Sequence, residues 1–366
     1  MSHSRRPGGR RPALLVRGAA VAAAAVAVTT LGTAAAQAAP NPLDDLVGMF
    51  GTGSSGTGSL AGPGTTLPAG FDLQAHRGGM GETIEESLPA FRKALELGVT
   101  TLELDVVMSA DGVPVVWHDA TISSNKCSDT AAATENDPQF PYVGDAIHDL
   151  TWAQLQTLDC DKKLAAHPDA ETIEGNKLIQ LREVFTLAAA HGADVHFNIE
   201  TKIEADRREL TAEPEEYVDA ILDEVRAADV VDRVMIQSFD WRSLPLVRAA
   251  EPSIPLVMLW NEPKWVPGSA WTGPVDYDAV GGDIFEAAEQ LGADVMSPSH
   301  SLVDEALVTG AHEAGRVVVP WTVDDPARMH ALIDLGVDGI ITNYPTRLRA
   351  VLAERGMELP RAYPAP

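Results

Sequence analysis

Four short stretches of this chain bring together side chains that could do chemistry. Thr101-Leu102-Glu103-Leu104-Asp105-Val106-Val107 alternates acids with apolar residues. Residues two apart in a strand share a face, so Glu103 and Asp105 point together. Two converging carboxylates repel unless a cation lies between them, and a hard divalent ion such as Mg²⁺ or Ca²⁺ prefers oxygen ligands. Asn198, Glu200 and Lys202 repeat the spacing further along. His76-Arg77-Gly78-Gly79 closes an earlier apolar run. It offers a proton-transfer group, a bidentate phosphate donor and backbone that a ligand can approach closely. His118-Asp119 ends another such run. Two histidines beside a cation-binding acid pair suit general acid/base hydrolysis of a phosphodiester.

Such residues act together only if the fold carries them to one place. From Phe71 onward, strand-like runs at 73–76, 101–107, 195–201, 234–239, 254–260, 294–299, 317–323 and 339–343 alternate with helical patterns, among them 84–97, 214–228 and 327–335. This alternation fits a (β/α)8 TIM barrel, in which inward charges near strand ends belong to a site. A doubly wound open sheet is the rival architecture, but no glycine-rich nucleotide loop follows the first strand. The run 113–118 follows the second strand after only four residues, too short a link for a parallel crossover, so a β-hairpin is expected. A long insertion over about 121–177, with a short helix at 152–158, then interrupts the alternation.

The ends of the chain read differently. Residues 1–38 combine Arg5, Arg6, Arg10, Arg11 and Arg17 with an Ala/Val-rich run and Ala36-Gln37-Ala38. That is the pattern of a secretory signal cleaved near Ala38; a single membrane anchor is the alternative, but the run is Ala-dominated and ends at the A-x-A site. Residues 39–69 form a Gly/Ser/Thr-rich linker and 70–358 the barrel domain. Cleavage takes the formal charge from −26 to −31. So acidic a chain excludes general nucleic-acid binding and argues against stable membrane association after cleavage. In a secreted protein the lone pair Cys127 and Cys160 is most simply one disulfide.

With these residues in place, the sequence resembles the glycerophosphodiester phosphodiesterase family. The likeness runs in order through His76-Arg77-Gly78, Glu85, Ser87, Ala90-Phe91, Glu103-Leu104-Asp105-Val106, Asp111-Gly112, His118-Asp119 and Asp149-Leu150-Thr151. It continues through Asn198-Ile199-Glu200-Thr201-Lys202, Gln237-Ser238-Phe239, Trp321-Thr322-Val323 and Gly339-Ile340-Ile341-Thr342-Asn343-Tyr344-Pro345. The resemblance implies one divalent cation, Ca²⁺ or Mg²⁺, on Glu103, Asp105 and Glu200, with Glu85 near it. It implies His76 and His118 as the acid/base pair, Arg77 and Lys202 on the phosphate, Trp321 on the alcohol side and Asn343 nearby. The expected substrate is a glycerophosphodiester such as glycerophosphocholine or glycerophosphoethanolamine. The family's Pro-Glu-Asn-Thr motif departs here, with Ile84, Glu86 and Ser87 at its Pro, Asn and Thr positions. The residues do not say which histidine is the acid, or whether water or the glycerol 2-hydroxyl attacks. A phospholipid-acting relative is an alternative, for which Trp260, Trp265 and Trp271 could meet a bilayer. Wall glycerol-phosphate polymers are a further alternative substrate, and a secreted non-enzymatic phospho-ligand binder is the remaining one.

Overall fold

The computed structural model describes residues 66–365. The leader expected over 1–38, and the linker up to residue 65, lie outside the described residues. In chain order, β1 (Asp72–Ala75) leads to α1 (Leu88–Leu97) and β2 (Thr101–Met108). β3 (Pro114–Val116) turns back on β2; after the insertion, which holds α2 (Trp152–Leu155), β4 (Ile179–Gln180) adds to β3. Then follow α3 (Leu181–Ala190), β5 (His196–Thr201), α4 (Pro214–Ala227), β6 (Val234–Ser238), α5 (Ser243–Ala250) and β7 (Leu256–Trp260). The chain finishes with α6 (Ile284–Leu291), β8 (Val295–Pro298), α7 (Glu305–Glu313), β9 (Val317–Val318), α8 (Pro326–Leu335), β10 (Gly339–Thr342) and α9 (Pro345–Glu354).

The parallel strands run in the order β10-β1-β2-β5-β6-β7-β8-β9. The gap between β9 and β10 is bridged by backbone hydrogen bonds: Asp338 N donates to Val318 O (2.9 Å), Ile341 N to Pro320 O (3.0 Å) and Val323 N to Ile341 O (3.0 Å). The architecture is therefore a closed (β/α)8 barrel. Its strands are buried on both faces, one against the helices and one inside the barrel. The interior is divided. Met235, Val257, Val295, Val319 and Ile341 fill one side with apolar side chains. Asp72, Gln74, Thr101, Glu103, Asn198 and Gln237, all buried, occupy the other.

Three local expectations shift. The helix expected from 84 begins at Leu88, because Ser87 Oγ caps it by accepting from Ala90 N (3.2 Å) and Glu86 before it is left-handed (φ 57°). The strand expected over 317–323 is regular only at Val317–Val318, since Pro320 has no N–H for a ladder. Packing also continues past residue 358: Tyr363 is buried, and its N donates to Leu95 O (2.8 Å).

The hairpin forms as expected, with Val106 opposite Val116. The insertion has an apolar core of its own around Trp117, Ile122, Tyr142, Ile147 and Leu150, and the Cys127–Cys160 disulfide lies within it.

Candidate functional site

Parallel register between β2 and β5 sets Glu103 beside Asn198 and Asp105 beside Glu200. One oxygen each of Glu103, Asp105 and Glu200 lies within 4.8 Å of the others, and all three residues are buried. Arg77 occupies the left-handed region (φ 52°, ψ 38°) at the end of β1. A backbone conformation that side-chain-bearing residues rarely adopt is held only where surroundings fix it. Here its N–H donates to Glu103 Oε2 (2.8 Å), while its Nε lies 3.0 Å from Asp105 Oδ2 and Nη1 3.2 Å from Glu85 Oε2. The next residue, Gly78 (φ 77°), leaves no room for a side chain: a Cβ there would meet Ala90 Cβ at 2.9 Å. Lys202 Nζ lies 2.9 Å from Glu200 Oε1 and 3.9 Å from Asp105 Oδ1.

The cluster holds more acids than bases. Glu85, Glu86, Glu103, Asp105 and Glu200 face Arg77, Lys126 and Lys202, and Asp119 shares Lys126 (2.7 Å). Burial and the Asp105 charge push Glu103 well above the usual carboxylate range, and burial pushes Glu200 up to about 7. Asp105 moves the other way: burial opposes its charge, but Lys202 and Arg77 hold it well below that range. Asp105 Oδ2 and Glu86 Oε2 are buried and complete no hydrogen bond. Converging, all-oxygen donors among more acids than bases, with Glu103 and Glu200 pushed toward the protonated form when only protein cations balance them, fit a hard divalent cation.

The two histidines have different partners. His76 Nδ1 lies 2.5 Å from Asn343 Oδ1. Asn343 Nδ2 donates to Asp324 Oδ2 (2.7 Å), so its oxygen faces His76 and accepts from Nδ1–H. His76 Nε2, 4.0 Å from Glu103 Oε2, then carries the lone pair. His118 Nδ1 instead faces a carboxylate oxygen, Asp119 Oδ1, at 2.7 Å. Burial drives both imidazoles toward neutrality, His76 down to about 3 and His118 to about 4, with Arg77 adding to the first and Lys202 and Arg77 to the second.

These groups line a cavity of about 100 Å³ together with Gln237, Phe239 and Trp321. Of the residues singled out from sequence, His76, Arg77, Glu103, His118, Glu200, Lys202 and Trp321 line it, and Asp105 supports it from the same strand as Glu103. Asn343 stands behind His76 rather than at the cavity wall. Glu85 is drawn between Arg77 Nη1 and Lys126 Nζ (2.5 Å), and its oxygens are not among the three that converge.

Other contacts were not signalled by local sequence. Lys126, from the insertion next to Cys127, reaches Glu85 and Asp119. Glu86 Oε1 accepts from Asp105 N (3.1 Å). Inside the barrel, Asn198 Nδ2 donates to Gln74 Oε1 (2.8 Å) and to Gln237 Oε1 (2.9 Å). Gln237 Nε2 donates in turn to Glu103 Oε1 (2.6 Å), and Gln74 Nε2 to Asp72 Oδ2 (2.7 Å). The alternation of polar and apolar residues on β5 and β6 hints at inward groups, but only the register shows which ones meet.

Known proteins resemble this chain over most of its described length. The glycerophosphoryl diester phosphodiesterase family matches residues 76–347. A glycerophosphodiester phosphodiesterase of Caldanaerobacter subterraneus subsp. tengcongensis is 28% identical over 282 residues, 77% of this chain and 98% of the relative. One from Bacillus subtilis is 27% identical over 277 residues, 74% and 83% of the two chains. A solved structure from Silicibacter pomeroyi, described as a candidate glycerophosphoryl diester phosphodiesterase, is 28% identical with a TM-score of 0.69 and covers 82% of this chain and 97% of its own. An Oleispira antarctica phosphodiesterase in complex with its product sn-glycerol-3-phosphate shares the fold, with a TM-score of 0.59 at 22% identity, covering 78% and 97%.

Proposed function

From the premise that this chain belongs to the glycerophosphoryl diester phosphodiesterase family and is a glycerophosphodiester phosphodiesterase, we propose that it is an exported enzyme dependent on one divalent cation, Ca²⁺ or Mg²⁺. Its proposed substrates are soluble glycerophosphodiesters such as glycerophosphocholine or glycerophosphoethanolamine, cleaved to glycerol 3-phosphate and the free alcohol. The observation that carries this reading is the convergence of Glu103, Asp105 and Glu200 at a cavity shared with both histidines, Arg77 and Lys202.

Glu103, Asp105 and Glu200 would hold the cation, which supplies positive charge against the charge that builds on the phosphoryl oxygens. Balancing the carboxylates would leave the Arg77 guanidinium and the Lys202 ammonium, both now lying against acids, available to the phosphate. His76 has a neutral amide partner and a lone pair on Nε2, which suits it to take the proton of the attacking hydroxyl as the new P–O bond forms. Asp119 and Asp105 favour the His118 imidazolium against the burial and the Lys202 and Arg77 charges that hold it at about 4, so His118 would protonate the alkoxide as the old P–O bond breaks once the phosphate offsets those two cations. Asn343 is then a positioning residue: it holds the His76 tautomer and is itself held by Asp324.

The indoles suggested for a bilayer support a soluble substrate instead. Trp260 is buried, and Trp265 packs on Trp241 (5.3 Å) and Tyr277 (4.7 Å). Among the described residues no helix is long and apolar enough to cross a membrane. Export is supported by the A-x-A pattern and by the closed Cys127–Cys160 pair.

The test is release of glycerol 3-phosphate from glycerophosphocholine by metal-stripped enzyme, with Ca²⁺ or Mg²⁺ added back. Turnover restored by one cation is expected, and full turnover in a chelator would overturn the metal dependence. Mass spectrometry of enzyme from culture medium should place the mature N-terminus just after Ala38; a retained leader would overturn the cleavage.

A further inference from the structure

Lys264 differs from every other lysine in the chain. The ammoniums of Lys93, Lys126, Lys177 and Lys202 lie on carboxylates, and those of Lys162 and Lys163 on backbone carbonyls. Lys264 has neither partner among the described residues. Its ammonium sits against the Trp271 ring and 4.9 Å from the centroid of Phe239. Phe239 is a wall of the catalytic cavity: it meets Trp321 edge-on at 5.1 Å and has Lys202 Nζ 6.0 Å from its own centroid. An unpaired cation therefore lies beside the aromatic wall of the site, in a chain of net charge −26.

The loop that carries it is folded in place. Lys264 N donates to Asn261 Oδ1 (3.1 Å), and Trp265 Nε1 next to it donates to Gly282 O (3.3 Å). Burial and the nearby Lys202 charge lower the Lys264 ammonium to about 8, while Glu200, Glu204 and Asp206 oppose that shift without pairing with it. A cation already resting on aromatic faces pre-empts the place where a quaternary ammonium would bind, and repels one brought near it. An anion there meets the opposite balance: a charged donor lacking a partner, in partly desolvated surroundings.

Resting on the phosphodiesterase reading, we propose that Lys264 receives a second phosphoryl group on the alcohol half of the substrate. Among the glycerophosphodiesters it cleaves, the enzyme thus favours those with an anionic alcohol, and glycerophosphocholine is the less efficient substrate.

The experiment compares kcat/KM for glycerophosphoinositol 4-phosphate, glycerophosphoglycerol and glycerophosphocholine at saturating cation, in the wild type and in Lys264→Met, Lys264→Glu and Lys264→Arg. The wild type should rank the three in that order. Lys264→Met removes the charge but keeps an unbranched side chain and should flatten the ranking; Lys264→Glu should shift the anionic-to-cationic ratio by about tenfold or more, mostly through KM. Lys264→Arg should restore the ranking. The same ratio in all four proteins, or a wild type that favours glycerophosphocholine, would overturn the inference. If the wild type releases glycerol 3-phosphate from none of the three, the phosphodiesterase reading fails and takes this inference with it. Thermal midpoints of the variants show whether a changed ratio comes from an intact fold.

Discussion

Asp72 at the start of β1 and Glu103 in β2 are both buried carboxylates on the polar side of the barrel interior, yet their surroundings differ. Asp72 accepts from Thr101 Oγ1 (2.7 Å) and Gln74 Nε2 (2.7 Å), so uncharged donors satisfy it. Glu103 also has donors, Gln237 Nε2 and Arg77 N, but it shares its space with Asp105 and Glu200. At the N-terminal end a lone acid is solvated by its neighbours. At the C-terminal end the acids outnumber the bases that could balance them. Asn198 joins the two ends, because its amide donates to Gln74 on one side and Gln237 on the other. Both glutamines are thereby oriented to donate to a carboxylate. The same polar interior is structural at one end and poised to bind a cation at the other.

Neutralising a member of the crowded end should have the largest effect. Glu103→Gln keeps the shape but removes a charge from the cation set, so kcat/KM should fall by about 10³-fold or more and cation affinity by calorimetry should fall with it. In chelator, its thermal midpoint should equal or exceed that of the wild type, since like-charge crowding is relieved. A midpoint several degrees lower would mean that Glu103 is a structural acid like Asp72.

Removing the proton-transfer groups comes next. His76→Ala and His118→Ala should each lower kcat by about 10²–10⁴-fold while circular dichroism stays unchanged. If their partners act as placed, Asn343→Ala should reproduce part of the His76 loss and Asp119→Ala part of the His118 loss. Near-wild-type turnover in either histidine variant would remove that residue from the mechanism.

The link between the ends should matter less. Gln237→Met fills the same volume but cannot donate to Glu103, and loss of a hydrogen bond that orients a metal-binding carboxylate typically costs about 10–100-fold in affinity. Calorimetric titration of Ca²⁺ or Mg²⁺ into the stripped protein checks this, and unchanged affinity would make the link packing alone.

How much of this contrast was legible in the sequence follows from how local each signal is. Strand periodicity alone pairs Glu103 with Asp105, and a four-residue link alone forces the hairpin. The eight-fold alternation could be read because each unit is local, although Pro320 hid how the barrel closes. The partners that decide chemical roles come from far along the chain. Asn343 reaches His76 across 267 residues, and Gln237 reaches Glu103 across 134. Such pairings need the strand register, which no window of sequence contains. Lys126 was missed for the same reason, since the disulfide-bearing insertion delivers it to Glu85. The left-handed conformation of Glu86 was missed for another, because glutamate carries no local preference for it.

The finest distinction is one of sign between Asp72 and the two histidines of the site, since Glu103 and Glu200 shift the same way as Asp72. Burial raises Asp72 to about 6, above its unfolded value near 3.8, so the folded chain binds the proton more tightly than the unfolded one. Its contribution to stability is complete below about pH 4 and is lost as pH rises through 6, an effect of about 2–3 kcal/mol. The buried histidines run in the opposite direction. Their folded values near 3 and 4 lie below the unfolded 6.5, so their contribution is present above pH 6.5 and is lost on acidification. Asp72→Asn mimics the protonated acid and retains an acceptor for Gln74. Its urea midpoint in chelator should match that of the wild type near pH 4, exceed it increasingly up to about pH 7, and then stay level. Activity should change by less than about twofold, because the amide keeps Gln74 and hence Asn198 in place. A difference in midpoint that is constant at every pH would show that Asp72 is not the titrating group, and that its surroundings do not oppose those of the histidines.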